Sequence, residues 1–347
     1  MDLVMELVER GLVPDALILA GIRRLCARKA ADERAGGPEA MAARTRAFRD
    51  AMRAAPIALH TREANDQHYE VPAAFYTHVL GPRMKYSGAL WDTAHTLAEA
   101  EEAMLALSCT RAQLADGQRV LELGCGWGSL TLWMAEHYPA SRITAVSNSA
   151  SQRAFILARA AERGLTNVEV ITADMNAFAP PAGARFDRIM SVEMFEHMRN
   201  WEALLARVRD WLTPEGALFV HVFCMRDAVY PFEVDGRSDW MARYFFTGGL
   251  MPSETLLADC ATGFRLEERW RVNGSHYART SRAWLANQDA ARATLMPILA
   301  ATYGAADAAR WFQRWRIFHM ACAELFDHGT GEDWFVTHAR LRPRTDA

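Results

Sequence analysis

Lysine is almost absent from this chain. Among 39 basic residues in 347, only Lys29 and Lys85 are lysines, and arginine carries the rest of the positive charge. With the high alanine content, this pattern reads as a bias of base composition rather than a site. No strong excess of either sign appears: the net charge is −3, so the basic footprint of a nucleic-acid binder is missing. None of the six cysteines (Cys26, Cys109, Cys125, Cys224, Cys260 and Cys322) forms a Cys-x-x-Cys pair. Neither a zinc site nor a disulfide framework is indicated, and a reducing cytoplasm fits. No apolar run approaches the length of a membrane span, and the N-terminus lacks a signal-peptide pattern.

What is present is a strand–turn–helix signal at Val120-Leu-Glu-Leu-Gly-Cys-Gly-Trp-Gly-Ser-Leu-Thr131. A short apolar run leads into a turn with Gly124, Gly126 and Gly128, and then into an apolar helical segment. Glycines there let a ligand approach the backbone, and the helix N-terminus offers free N–H groups. Two nucleotide fingerprints are absent. The third glycine comes one residue early for a dinucleotide loop, and the second strand, Arg142-Ile-Thr-Ala-Val146, ends in Ser147-Asn148-Ser149 without an acid. No Gly-Lys-Ser/Thr follows, so a phosphate loop is excluded as well. A carboxylate just before the glycines, Glu122, suits a cofactor with a positive amino group. S-adenosylmethionine (SAM) is such a cofactor. Farther on, Val168-Glu-Val-Ile-Thr-Ala-Asp174-Met175 ends in an acid fit to accept from an adenine amino group, with Met175 packing on the ring. The next strand, Phe186 to Val192, runs directly into Glu193-Met-Phe-Glu196-His197. All these residues fall where ligands bind in open α/β sheets, beyond the carboxyl ends of strands.

Strands are expected at 118–123, 142–147, 168–173, 186–192 and 216–223, with helices between them. This alternation indicates a parallel, doubly wound sheet. Trp334 to Leu341 alternates and is expected as a last, antiparallel strand. Residues 1–62 read as a helical extension, broken at Gly11–Pro14 and Gly36-Gly37-Pro38, ahead of a domain at 63–347. Helices are expected near 64–80 and 96–114. Arg23, Arg24, Arg28 and Lys29 cluster on the second helix; a solvated face is favoured over contact with an anionic membrane surface. The stretch 225–290 breaks the alternation and reads as aromatic and loop-like, while 289–325 reads as helical with interruptions at Pro297 and Gly304. Residues 225–320 are expected to form an insertion that covers the substrate.

Several separated motifs, in order, resemble the SAM-dependent methyltransferases related to cyclopropane fatty acid synthases. They are Asn65-Asp-Gln-His68-Tyr69-Glu-Val-Pro72, Met84-Lys-Tyr86-Ser87-Gly88, Gly124-Cys-Gly-Trp-Gly128 and Ser191-Val-Glu-Met-Phe-Glu-His197. Further matching segments are Arg243-Tyr-Phe-Phe-Thr-Gly-Gly, Met251-Pro-Ser253, His276-Tyr-Ala-Arg-Thr-Ser281 and Gly331-Glu-Asp-Trp334. The likeness covers about residues 5–340 and is strongest to the coclaurine N-methyltransferase branch, which methylates alkaloid amines. It implies the Rossmann-like sheet of class I SAM methyltransferases, mostly parallel with the last strand antiparallel, with N-terminal helices and an inserted covering region. It implies that Tyr86 and Ser87 close over SAM and that Gly124 to Gly128 cradle its methionine tail. Ser147, Asn148 and Gln152 would lie near the ribose, Asp174 and Met175 at the adenine, and Val192 at the strand end beside the cofactor. Glu193, Glu196 and His197 would serve the amine.

One departure separates the branches. The cyclopropane synthases resemble one another in holding a bicarbonate ion through a Cys, a Glu, a His and a Tyr. Here Gly88 stands at the Cys, while Glu196, His221 and Tyr277 match. Glu193 stands where the lipid enzymes usually carry glycine. An added buried carboxylate disfavours an anionic base beside it and favours a cationic substrate.

An amine must lose its proton before it attacks, so a carboxylate pair has clear work there. If the segment is helical, Glu193 and Glu196 share a face, and two neighbouring carboxylates push one pKa upward. His197 would relay the proton or orient a glutamate. The plain alternatives are a solvated acidic face for the glutamates, a structural hydrogen bond for His197, a core role for His221, and packing for His276 and Tyr277 in a loop after Gly274. The aromatic residues of 240–318 read first as core, and some would line an amine pocket through cation–π attraction. The expected activity is therefore methyl transfer from SAM to a small aromatic or heterocyclic amine. The rivals are a cyclopropane-forming or C-methylating enzyme on unsaturated acyl chains, with peripheral lipid contact, and a SAM-binding protein without catalysis. The likeness is compatible with a homodimer, for which the sequence carries no interface signature.

Overall fold

The computed structural model describes residues 2–59, 71–232 and 240–344. The motif 65–72 falls almost wholly outside them, as does the start of the helix expected at 64–80. Three helices come first: α1 (Asp2–Glu9), α2 (Asp15–Glu33) and α3 (Gly37–Ala54). After α4 (Ala73–Val79) and α5 (Leu97–Arg111), the sheet begins. The start of α5 is set by a reciprocal cap, in which Thr96 accepts from the Glu99 N–H while Glu99 accepts from the Thr96 N–H.

The alternating part then runs β1 (Arg119–Leu123), α6 (Ser129–His137), β2 (Arg142–Ser147), α7 (Ala150–Glu162), β3 (Val168–Thr172), β4 (Phe186–Val192), α8 (Trp201–Trp211) and β5 (Leu212–Met225). All five expected strands are present. In β1 the four residues after Arg119 are all buried, and β5 is buried from Gly216 to Met225. Such continuous burial marks interior strands covered by helices on both faces.

The seven-stranded sheet has the order β3-β2-β1-β4-β5-β9-β8. The first five strands are parallel; β9 (Trp334–Pro343) is antiparallel to both β5 and β8 (Phe264–Val272). The antiparallel Trp334 strand is as expected. β8 corrects the loop-like reading of 225–290: its exposed positions are mostly Arg and Glu, so as an edge strand it gives no apolar run. Between β5 and β8 lie the short β6 (Tyr230–Pro231) and β7 (Leu250–Met251), and the helices α9 (Trp240–Phe245) and α10 (Leu256–Cys260).

Three helices follow β8: α11 (Gly274–Ala290), α12 (Arg292–Tyr303, with Pro297 inside) and α13 (Ala308–Asp327). His276 and Tyr277 thus sit on the first turn of α11, not in a loop. Asn273 caps that turn by accepting from the Ser275 N–H. A Cβ on Gly274 would fall 2.1 Å from the Trp334 carbonyl oxygen, so glycine is what lets α11 start against β9. The N-terminal helices are tied to α13 by Arg23 to Glu324 (2.5 Å), Arg314 to Glu9 (2.8 Å) and Arg316 to Asp15 (2.6 Å). Of the basic cluster on α2, Arg23 and Lys29 are therefore engaged, Lys29 with Glu33 and over the Tyr230 ring, while Arg24 and Arg28 face solvent.

Candidate active site

β1 has β2 on one side and β4 on the other, so the chain reverses its direction of travel there. Ligand crevices in such sheets lie outside the strand ends at this reversal. A cavity of about 250 Å³ opens at that point and continues beneath α11 and α13.

Its first half is built by the glycine turn. Gly124, Gly126 and Gly128 all have positive φ. Among the described residues nothing lies within 4 Å of a Cβ added at Gly126, whereas a Cβ on Gly128 would fall 2.6 Å from Ile156. Glu122 lines this half and is buried, accepting from the Thr131 hydroxyl at 2.5 Å. Burial pushes its carboxyl up to about 7 against that hydrogen bond. A ligand amino group would supply the positive partner it lacks. Ser147 donates to Gln152 at 2.7 Å and, with Asn148, continues the wall. Ala173 and Met175 line it next. Asp174, between them, accepts from the Asn176 N–H at 2.8 Å. Tyr86, Ser87 and Val192 complete this half. An open glycine turn, a buried carboxylate and a crevice at the sheet reversal fit SAM.

The second half holds the glutamates. Glu193 is not helical: its φ is +47°, and the short 3₁₀ turn Phe195–His197 begins after it. The helical-face argument for Glu193 and Glu196 therefore fails. A strained turn at the end of β4 brings the two together instead. The Glu193 carboxylate accepts from the Gly88 N–H (3.1 Å) and the Tyr277 hydroxyl (2.7 Å), and lies 3.2 Å from His221 Nε2. Gly88, His221 and Tyr277 thus converge on one carboxylate. Glu196 is fully buried, and among the described residues neither carboxylate oxygen has a hydrogen-bond partner.

The two acids interact strongly. Burial and then the charge of Glu193 push Glu196 well above the ordinary carboxylate range. Glu193 is also raised by burial, but Lys85, Tyr277 and Gly88 oppose the rise. Burial and the neighbouring charge thus favour the neutral form more strongly at Glu196 than at Glu193. His197 lines the same cavity, stacked on Phe246 with ring centroids 4.6 Å apart. Trp284, Phe318 and Phe326 close the far wall.

Some residues of the site were not singled out from sequence. Lys85 is buried beneath the Tyr86-Ser87-Gly88 turn, donating to the Ser87 hydroxyl and, at 2.8 Å, to the Gly88 carbonyl. Burial lowers it to about 8, against the attraction of Glu193 and Glu101. A lone lysine beside a motif in an arginine-rich chain was the available signal. Trp284 carried none beyond aromaticity.

Residues 58–334 match the model of the mycolic acid cyclopropane synthetase family. The chain belongs to that family. Within it, the chain is 35% identical over 346 residues to (S)-coclaurine N-methyltransferase of Thalictrum flavum subsp. glaucum, covering 98% of this chain and 95% of the relative. It is 30% identical to cyclopropane-fatty-acyl-phospholipid synthase of Escherichia coli strain K12, covering 84% and 74%. A crystal structure of coclaurine N-methyltransferase bound to N-methylheliamine and SAH superposes with a TM-score of 0.93 at 34% identity, covering 98% of both chains. The protein is a SAM-dependent methyltransferase with the class I sheet. Among the described residues no helix is long and apolar enough to cross a membrane.

Proposed function

We propose that this member of the family is an N-methyltransferase for a small aromatic or heterocyclic, alkaloid-like amine. The carrying observation is the pair of buried carboxyls, Glu193 and Glu196, in an aromatic-walled cavity beside the glycine turn. SAM, held by the glycine turn, Glu122 and the Ser147–Gln152 wall, supplies an electrophilic methyl carbon on a sulfonium. Burial and mutual repulsion disfavour a second negative charge on this pair, so a single ammonium suits it. Glu193 is the standing anion: it attracts the substrate ammonium and takes its proton on a carboxylate oxygen, which frees the nitrogen lone pair for attack. Glu196, whose carboxyl bonds no other side chain among the described residues, offers it to the same nitrogen. His197 passes the proton onward. Trp284 and Phe246 supply ring faces that favour a cation and exclude water. The relatives named for amine methylation support this reading, as does the negative charge at Glu193. The reading includes a cytoplasmic setting, which six unpaired cysteines fit. It also treats residues 1–62 as an extension and 225–320 as the covering region.

Product mass decides the reaction class. The enzyme is incubated with SAM and either a pool of cyclic and aromatic amines or unsaturated phospholipid vesicles. A gain of one methyl on an amine is expected, abolished in Glu193→Gln and strongly reduced in Glu196→Gln while SAM still binds. A methylene gain on lipid would overturn the reading in favour of the cyclopropane-forming alternative.

A further inference from the structure

Glu193 is one end of a hydrogen-bonded chain that leaves the cavity through the sheet. His221 Nε2 lies 3.2 Å from Glu193 Oε1, His221 Nδ1 lies 2.9 Å from His338 Nε2, and His338 Nδ1 lies 2.9 Å from Arg111 Nη1. The sheet builds this row. His221 of β5 and His338 of β9 are directly opposite in the antiparallel ladder, so their side chains share a face. On β8, Trp270 is the residue opposite His338. Its ring carries the guanidiniums of Arg111 and Arg340 at 5.0 and 5.4 Å. Arg111 is the last residue of α5 and reaches the row from outside the sheet. Both histidines are fully buried.

The chemistry of the ends fixes the direction. A guanidinium has donors only. His338 Nδ1 must therefore accept from Arg111, and the proton of that imidazole stands on Nε2. It is donated to His221 Nδ1, which leaves the His221 proton on Nε2, facing Glu193. Burial favours the neutral form of both rings, reinforced at His221 by Lys85 and Arg111 and at His338 by His221, Arg111 and Lys85.

We propose that Arg111 and His338 are positioning residues that fix the tautomer of His221, so that its Nε2–H always points at the Glu193 carboxylate. The proposal rests on the reading of Glu193 as the anion that receives the amine. With the other tautomer, a nitrogen lone pair would face the carboxylate, and Glu193 would hold a proton instead of an ammonium. Among the described residues, the other groups that face Glu193 are Lys85, Tyr277, Glu196, the Cys322 thiol and the Gly88 N–H. Those facing Arg111 are Glu268 and Asp92.

The test compares Arg111→Met, His338→Leu and His338→Gln in the full-length enzyme. The readouts are kcat/KM against pH, SAM affinity, and side-chain ¹⁵N–¹H spectra of the histidines. Both Arg111→Met and His338→Leu are expected to move the acidic limb upward by about one pH unit, the effect of one lost hydrogen bond to a charged group. SAM affinity is expected to hold. His338→Gln, whose amide N–H still donates to His221, is expected to restore the limb. The wild-type spectra are expected to show both rings protonated at Nε2. If His338→Leu fails to fold, Arg111→Met at the half-buried end and the wild-type spectra still decide the matter. An Nδ1–H tautomer at His221 overturns the proposal. So does an unmoved limb in Arg111→Met with Glu193→Gln inactive. If His338→Gln falls as far as His338→Leu, the chain conducts a proton rather than fixing a tautomer, and the proposal fails. Normal turnover by Glu193→Gln sinks the functional reading alone, since the spectra report the tautomer independently of activity.

Discussion

Tyr277 donates its hydroxyl to Glu193 at 2.7 Å, across 84 residues of chain. The bond ties the first turn of α11 to the end of β4, so that helix and the sheet hold one carboxylate between them. Tyr277 is itself fixed by stacking on Phe326, with centroids 4.2 Å apart. A hydrogen bond to a charged group is worth about 1.5–3 kcal/mol. Tyr277→Phe is therefore expected to lower kcat/KM by roughly ten- to a hundredfold, with SAM affinity unchanged. Steady-state kinetics alongside a SAM titration check this. A rate within twofold of wild type would show that the hydroxyl does not serve the reaction.

Gly88 sets how close Tyr277 sits. A Cβ there would lie 3.2 Å from the Tyr277 ring, so the ring must give by a few tenths of an ångström. Gly88→Ala is expected to lengthen the bond to Glu193 and to cost about 1 kcal/mol, roughly a fivefold loss in kcat/KM. The loss should nearly vanish when the substitution is placed in the Tyr277→Phe background. Equal losses in both backgrounds would mean that the two residues act independently.

Glu122 gives a pH signature in stability. Its carboxyl is pushed up to about 7 in the fold, against an ordinary value of 4.5. The native state therefore binds this proton more tightly than the unfolded chain does. Stability from this group is full below the unfolded value and is lost as pH rises toward about 7, by up to about 3 kcal/mol. In the ligand-free enzyme, Glu122→Gln should gain a few degrees of Tm over wild type between pH 5 and pH 8, and no more above that. It should also weaken SAM binding by roughly tenfold or more. Melting curves that run parallel across this range would contradict the assignment.

The glycines of the turn should separate by function. Gly128→Ala drives a methyl into Ile156 and is expected to destabilise the fold by about 1–3 kcal/mol. Gly126→Ala meets no atom of the described residues within 4 Å. It is expected to fold with only the backbone strain of a positive φ, about 1–2 kcal/mol, yet to lose SAM affinity because the added methyl occupies ligand space. Thermal melts and SAM titrations of both variants check this. The idea fails if Gly126→Ala binds SAM normally.

The chain by itself determined the alternating sheet and the glycine turn that lines the cavity at its reversal. Those signals are local: apolar runs of strand length, a glycine turn and the acid before it lie within a dozen residues of one another. The same locality explains what could not be read. β8 faces solvent with Arg and Glu at a sheet edge, so it lacks the apolar run that announces a strand. The first turn of α11 has no helical apolar spacing, because Tyr277 points to Glu193 and His276 to the Trp91 N–H. The nearness of Glu193 and Glu196 was legible as a spacing, but its cause was not helical: a positive φ at the end of β4 decides it. His221 and His338 are 117 residues apart and meet only through the register of β5 on β9. Arg111 then joins them from a helix end. No sequence period connects three such positions, since hydrogen bonding across a sheet depends on which strands become neighbours. That choice belongs to the packing of the whole chain.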